Sequence, residues 1–153
     1  MCYNRRAMYA LHPLSVHFPL ALLLACGLFV LLALRSGSAG WATSAYHCLI
    51  VGWLTGAVAL LTGTLDALPQ LVGPEAPYAS AVGLVNAHAF ANLAALVVYG
   101  QALLRCRRQP DLLTDPTARR GYLWLHAVGA ALLLGGGWVG GHLVYVLGLG
   151  VHQ

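Results

Sequence analysis

Residues 13–34 read PLSVHFPLALLLACGLFVLLAL, an apolar run with one histidine and no Asp, Glu, Lys or Arg. About 20 apolar residues in a helix are enough to cross the roughly 30 Å hydrocarbon core of a bilayer. Three further runs of this kind follow at 44–65, 82–104 and 121–147. The chain is therefore predicted to be an all-α integral membrane protein with four transmembrane helices.

Composition and link lengths agree with this class. The 153 residues are 59% hydrophobic and 8% charged, whereas a soluble domain carries roughly 25% charged residues. The links are short, so we expect one domain, an up-and-down four-helix bundle in which helices 1 and 3 are diagonal, as are helices 2 and 4. No repeat at a fixed period is evident.

The eight arginines carry the whole of the positive charge and predict the orientation. Six of them lie in the first and third links, and two precede the first span. The positive-inside rule then places those two links in the cytoplasm and both chain termini in the periplasm. Membrane lipid is the expected surrounding, and the charge pattern does not indicate nucleic acid.

Several chemistries lack their usual motifs. The four cysteines show no CxxC or CxxCH spacing, which argues against a zinc site and a covalently attached c-type haem. No P-loop, dinucleotide fingerprint or pair of carboxylates is present. These absences favour an electron-transfer or accessory role over an enzymatic one.

Histidine is the residue that stands out, because imidazole is costly in lipid and usually functional there. The predicted topology sorts the seven histidines by depth. An outer group lies near the periplasmic face, a smaller pair lies near the cytoplasmic face, and His152 belongs to the tail. The outer group is His12, His17, His88 and His142, and the inner pair is His47 and His126.

This sorting predicts b-type haem, which needs an imidazole on each side of its iron. Diagonal helices leave the room that adjacent helices, 8–10 Å apart, do not. The diagonal pair His17 and His88 is the predicted outer ligand pair, with His142 beside it. The pair His47 and His126 would ligate a second, inner haem.

Polar and small residues of the spans have two readings each. Gly137 and Gly141, in the run GGGWVGG, are predicted to give a flat macrocycle room, although glycines at this spacing also allow close helix contact. His12 and His47 lie where they could simply be hydrated. Asp66, Asn86 and Asn92 could serve only as hydrogen-bonding groups between helices.

Three segments carry a resemblance: HPLSVHFPLALL at 12–23, AHAFANL at 87–93 and GGHLVYVLGLGV at 140–151. They resemble an uncharacterised bacterial family of four-helix inner-membrane proteins, some of which are associated with Rieske or cytochrome c modules. The resemblance implies a bacterial inner-membrane location, a redox setting and a redox partner or larger membrane complex. His47 and His126 do not map to the family pattern. The matching positions are His12, His17, His88, Asn92, Gly140, Gly141 and Tyr145.

Two other functions compete with haem binding. A structural or assembly subunit of a larger membrane complex would use its histidines for interhelical hydrogen bonds and carry no cofactor of its own. A metal channel would need ligands along its length, but between the two histidine layers the lining is limited to Thr55, Thr62 and small residues.

Overall fold

The computed structural model describes residues 11–72 and 79–149. Four helices make up nearly all of this part: α1 at Leu11–Ser36, α2 at Ala39–Leu71, α3 at Val82–Arg108 and α4 at Pro116–Tyr145. A short 3₁₀ turn at Ala79–Ala81 precedes α3, and the described residues contain no strand. All four helices are long and apolar enough to cross a membrane. The predicted all-α, four-helix membrane fold is confirmed.

Turn chemistry explains where the helices meet. Gly37 has φ of 67°, a left-handed conformation that glycine adopts without steric cost, and its N–H donates to the carbonyl of Ala33 at 2.9 Å. This reduces the predicted first link at 35–44 to Gly37 and Ser38. Asp115 caps α4 by accepting a hydrogen bond from the N–H of Thr117, and Pro116 follows in the first turn.

The helices pack as two hairpins. The first hairpin consists of α1 and α2, and the second of α3 and α4; these are the two most extensive contacts. The hairpins meet mainly between α2 and α3 and less extensively between α1 and α4, while the remaining two pairings make fewer contacts still. This order around the bundle makes α1 and α3 diagonal, as predicted. We call the end of the bundle that contains residues 11, 71, 82 and 145 the termini end, and the opposite end the arginine end.

A narrow stripe on each helix faces the interior. On α1 it comprises Pro19, Leu23, Cys26, Val30 and Ala33, at alternating spacings of four and three residues. This spacing keeps side chains on one face of a helix. Pro19 lies inside α1, beyond its first turn. The faces outside the stripes expose large apolar residues, as expected for contact with lipid.

The stripes reveal an internal repeat that the sequence does not display. Buried positions of α1 recur in α3 after 76 residues, as in Leu23 and Tyr99 or Cys26 and Ala102. All six buried positions of α2 recur in α4 after 77 residues. These α2 and α4 pairs are Ala45/Tyr122, Leu49/His126, Gly52/Gly129, Gly56/Leu133, Ala59/Gly136 and Asp66/Leu143. The two hairpins are therefore built in the same register.

Candidate functional site

Two histidines from diagonal helices meet at the termini end. The ring centroids of His12 on α1 and His88 on α3 are 6.1 Å apart, and their planes are at 86°. Both residues are partly buried. These histidines are equivalent in the repeat, because 76 residues separate them.

Backbone carbonyls fix the protonation of both rings. His12 Nδ1 lies 2.9 Å from the carbonyl oxygen of Ala59, and His88 Nδ1 lies 2.7 Å from that of Gly136. A carbonyl can only accept, so each Nδ1 carries the proton and donates. In a neutral imidazole the other nitrogen, Nε2, is then an unprotonated acceptor. The site therefore presents two imidazole lone pairs, one from each hairpin, and this same arrangement orients histidines that bind metals.

A glycine lies against each ring. A Cβ on Gly63 would come within 2.7 Å of His12 Cε1, and a Cβ on Gly140 would come within 2.7 Å of His88 Cε1. No side chain fits there unless the ring moves. Gly63 and Gly140 are again equivalent, so each hairpin supplies a histidine, a carbonyl and a glycine in one arrangement.

Further polar groups surround the pair, and the two hairpins differ in them. The buried Asp66 accepts a hydrogen bond from the backbone N–H of His12 at 3.1 Å. The hydroxyls of Ser15 and Thr62 lie 2.9 Å apart between α1 and α2. In the second hairpin, the Asn92 amide donates to the carbonyl of His88 at 2.8 Å. Asp66 therefore makes a hydrogen bond between two helices, whereas the Asn92 bond to His88 lies within α3.

His17 lies away from this site, and the structure does not bring the predicted pair of His17 and His88 together. Five residues after His12, it is rotated by roughly 140° around α1, and its side chain is exposed. His142 is also displaced, since it follows Gly140 by two residues and packs against Trp138 with a centroid distance of 6.3 Å. Within the described part of the chain, neither residue forms a hydrogen bond or a ring contact with His88.

The predicted glycines are each one position from those that serve the site. Gly137 is exposed and has nothing within 4 Å of a Cβ placed on it. Gly141 has only Tyr145 of its own helix at that distance. One residue turns a helix by about 100°, so Gly136 and Gly140 face His88 and Asn92 while their neighbours face outward.

His126 occupies a separate, buried position toward the arginine end. Its ring packs edge-on against Tyr122 and Tyr99, with centroid distances of 4.6 and 5.6 Å. Its Nε2 lies 3.9 Å from the thiol sulfur of Cys26, and its Nδ1 is buried without a hydrogen-bond partner. His126 is thus enclosed by aromatic rings and a thiol.

His47 does not join His126, so the structure does not bring the predicted inner pair together. His47 lies between the buried Ala45 and Leu49 on α2, so its side chain points out of the bundle and is exposed. Its recorded ring contact is with the adjacent Tyr46. His152 lies outside the described residues.

His12 belongs to the site, although the sequence also allows it to be a merely hydrated residue near the membrane surface. The spacing of residues along α1 would have identified it. His12 precedes Pro19 by seven residues, which puts it on the stripe formed by Pro19, Leu23 and Cys26, whereas His17 lies off that stripe. Spacing along α1 therefore distinguishes the two histidines.

A metal ion held by protein ligands alone is not indicated. Within residues 11–72 and 79–149, no three His, Cys, Asp or Glu side chains are grouped so that they could hold one. His12 and His88 are the two imidazoles that the described structure brings together, and they could hold a cofactor between them.

Comparison with known proteins identifies a family. Residues 8–153 match the family described as "Predicted membrane protein (DUF2231)", and the chain belongs to it. This confirms the expected membership of an uncharacterised membrane family. No curated protein and no solved structure matches the chain.

Proposed function

We propose that this family member is a membrane b-type haem protein that transfers electrons, with His12 and His88 as the axial ligands of a single haem b. The observation that carries the proposal is the pair of imidazoles from diagonal helices. Each has its Nδ1–H committed to a carbonyl and its Nε2 available.

The spacing of the rings supports this assignment. Two imidazoles bound to opposite sides of one metal, at about 2.0 Å per metal–nitrogen bond, have ring centroids roughly 6 Å apart. The observed separation is 6.1 Å. His12 and His88, with their ring planes at 86°, would hold the haem from two diagonal helices.

The protein groups have definite tasks in this proposal. Bound haem supplies one-electron redox chemistry. The carbonyls of Ala59 and Gly136 hold the imidazoles in the ligating tautomer, and hydrogen bonding from Nδ1 raises the basicity of Nε2. Gly63 and Gly140 let each ring lie close to the neighbouring helix.

The proposal extends to location and partner. The termini end lies on the periplasmic side if the arginine end is cytoplasmic, as the positive-inside rule requires. Haem at this depth would exchange electrons with a periplasmic redox protein, a quinone or a larger membrane complex of the bacterial inner membrane.

The test is a spectrum of the full chain, purified in detergent from cells supplied with haem. We expect a b-type band in the reduced-minus-oxidised spectrum and about one haem per chain by pyridine haemochrome. His12→Ala and His88→Ala should each remove most of this haem. His17→Ala is the matched control, because it removes an exposed imidazole from the same helix, and it should retain full content.

Two results would count against the proposal. One is a wild-type protein without a b-type band under these conditions; together with co-purification of a larger assembly, it would favour the structural-subunit hypothesis. The other is full haem content in both His12→Ala and His88→Ala.

A further inference from the structure

We propose a second binding site at the arginine end: the outward face of the first three turns of α4 binds one anionic phospholipid. A groove of about 490 Å³ runs along this face. It is lined by Pro116, Arg119, Arg120, Leu123, Trp124 and Ala127. Along α4, each lining residue has another lining residue three or four positions away. One face of the helix therefore supplies the whole lining.

The order of residues along the groove matches the shape of a phospholipid. Arg119 and Arg120 lie in the first turn, at the end of the span, where a headgroup would be. Leu123, Trp124 and Ala127 continue toward the membrane interior, over about 12 Å of helix from Arg119 to Ala127. Trp124 is 61% exposed on this face. Tryptophan is enriched at the level of the headgroups in membrane proteins.

The two groove arginines are available to a ligand. Among the described residues neither forms an ion pair with an acidic side chain. Asp115, one turn before Arg119, is engaged instead as the N-cap of α4. Residues 105–120 hold five arginines and two aspartates, a net charge of +3. Uncompensated guanidinium groups at a membrane interface favour an anionic partner, and arginine pairs with phosphate oxygens through two hydrogen bonds at once.

A lipid satisfies both halves of the groove, whereas a free anion satisfies only one. Inorganic phosphate would contact the arginines but could not make the apolar contacts with Leu123, Trp124 and Ala127 that acyl chains of the same molecule would make. A zwitterionic lipid would fill the apolar part but carries no net charge. An anionic phospholipid such as phosphatidylglycerol combines the two.

The experiment is native mass spectrometry of the full chain in detergent, titrated with phosphatidylglycerol or with phosphatidylcholine of the same acyl chains. We expect phosphatidylglycerol to bind at least about tenfold more tightly. Arg119→Gln with Arg120→Gln should weaken its binding about tenfold or more. Arg107→Gln with Arg108→Gln removes the same charge from the exposed end of α3, outside the groove, and should change binding by less than about threefold.

Other outcomes overturn the proposal. Equal affinity for the two lipids would do so, as would equal losses in the two double variants, which would indicate general attraction by charge. Displacement of phosphatidylglycerol by millimolar inorganic phosphate would mean that the groove binds a free anion. Trp124→Ala provides a second readout that leaves the arginines in place, and it should weaken both lipids while the preference for phosphatidylglycerol persists.

Discussion

The two hairpins repeat one histidine arrangement at the termini end, whereas the side chains buried toward the arginine end differ between them. The histidine and the glycine beside it are identical in the pairs His12/His88 and Gly63/Gly140. Further along the same stripes, small or aliphatic residues of the first hairpin have aromatic or polar residues at the equivalent positions of the second. These pairs are Leu23/Tyr99, Ala45/Tyr122 and Leu49/His126. Packing accepts many solutions with similar total volume, so the repeated combination of a histidine, a carbonyl and a glycine at the termini end indicates a chemical requirement there.

The largest effect is expected from breaking the shared glycine contact. Gly140→Ala and Gly63→Ala each place a methyl group 2.7 Å from an imidazole carbon. The displaced ring loses its carbonyl partner, and loss of such an orienting bond weakens metal binding by about 10- to 100-fold. Haem retention during dialysis against apomyoglobin measures the change. Gly137→Ala is the control on the same helix, and a loss there equal to that of Gly140→Ala would contradict the assignment.

Exchanging the divergent residues at Leu49 and His126 tests the other end. Leu49→His should destabilise the protein by about 1–3 kcal/mol, because it buries a polar ring where the first hairpin offers no aromatic cage. His126→Leu removes a buried nitrogen without a partner, and this gain offsets the lost ring contacts with Tyr99 and Tyr122. Its net effect should stay within about 1 kcal/mol.

Unfolding in mixed micelles, followed by circular dichroism, separates these two variants. Haem content should be unchanged in His126→Leu, since His126 lies apart from the His12 and His88 pair. Loss of haem in that variant would instead place His126 among the ligands.

A smaller effect is expected from making the first hairpin resemble the second at Asp66. Its equivalent is Leu143, so Asp66→Leu removes an acceptor that the N–H of His12 uses in the first turn of α1. Helix ends lose about 1 kcal/mol when such an acceptor is removed. Asp66→Asn keeps an acceptor oxygen and should retain most of that stability in the same unfolding assay. Equal loss in both variants would show that the negative charge matters more than the hydrogen bond.

The smallest change is expected at the hydroxyl pair of Ser15 and Thr62. The second hairpin has Ala91 and Val139 at these positions and packs without that bond. The double variant Ser15→Ala with Thr62→Val should lower stability by no more than about 1 kcal/mol, because both partners are removed together. Either single variant should cost at least as much as the double one. A double variant clearly less stable than both single variants would show that Ser15 and Thr62 contribute to stability beyond the hydrogen bond between their hydroxyls.

The sequence predicted the helices well and their inward faces poorly. Apolar length is a direct requirement of the bilayer, and each predicted span lies within or close to its helix. Lipid and protein interior are both apolar, however, so hydrophobicity does not distinguish the two sides of a helix. Hydrophobicity therefore does not separate His17 from His12, or Gly137 and Gly141 from Gly136 and Gly140. Because each residue turns a helix by about 100°, a predicted site residue that is wrong by one position points to a different side of the helix.

The repeat that relates the two hairpins is not visible in the sequence for a related reason. The hairpins share few identical residues, and their similarity lies in where side chains are buried, as in Ala45 and Tyr122 or Leu49 and His126. Side chains of different volume can occupy equivalent positions of the two hairpins when the side chain packed against each of them also differs. Gly52, for instance, lies against Leu23, and its equivalent Gly129 lies against Tyr99. Contacts, and not residue types, carry the pattern.

The division of the site between two hairpins has a consequence for how the protein is assembled. Helical hairpins can insert into a bilayer as separate units and associate afterwards. Neither hairpin alone offers two imidazoles, so a ligand that binds both His12 and His88 binds only the associated state. By mass action, that ligand then stabilises the association of the two hairpins by an amount that grows with the ligand concentration. Supply of the ligand would thus control how much of the inserted chain reaches its final form and escapes proteolysis.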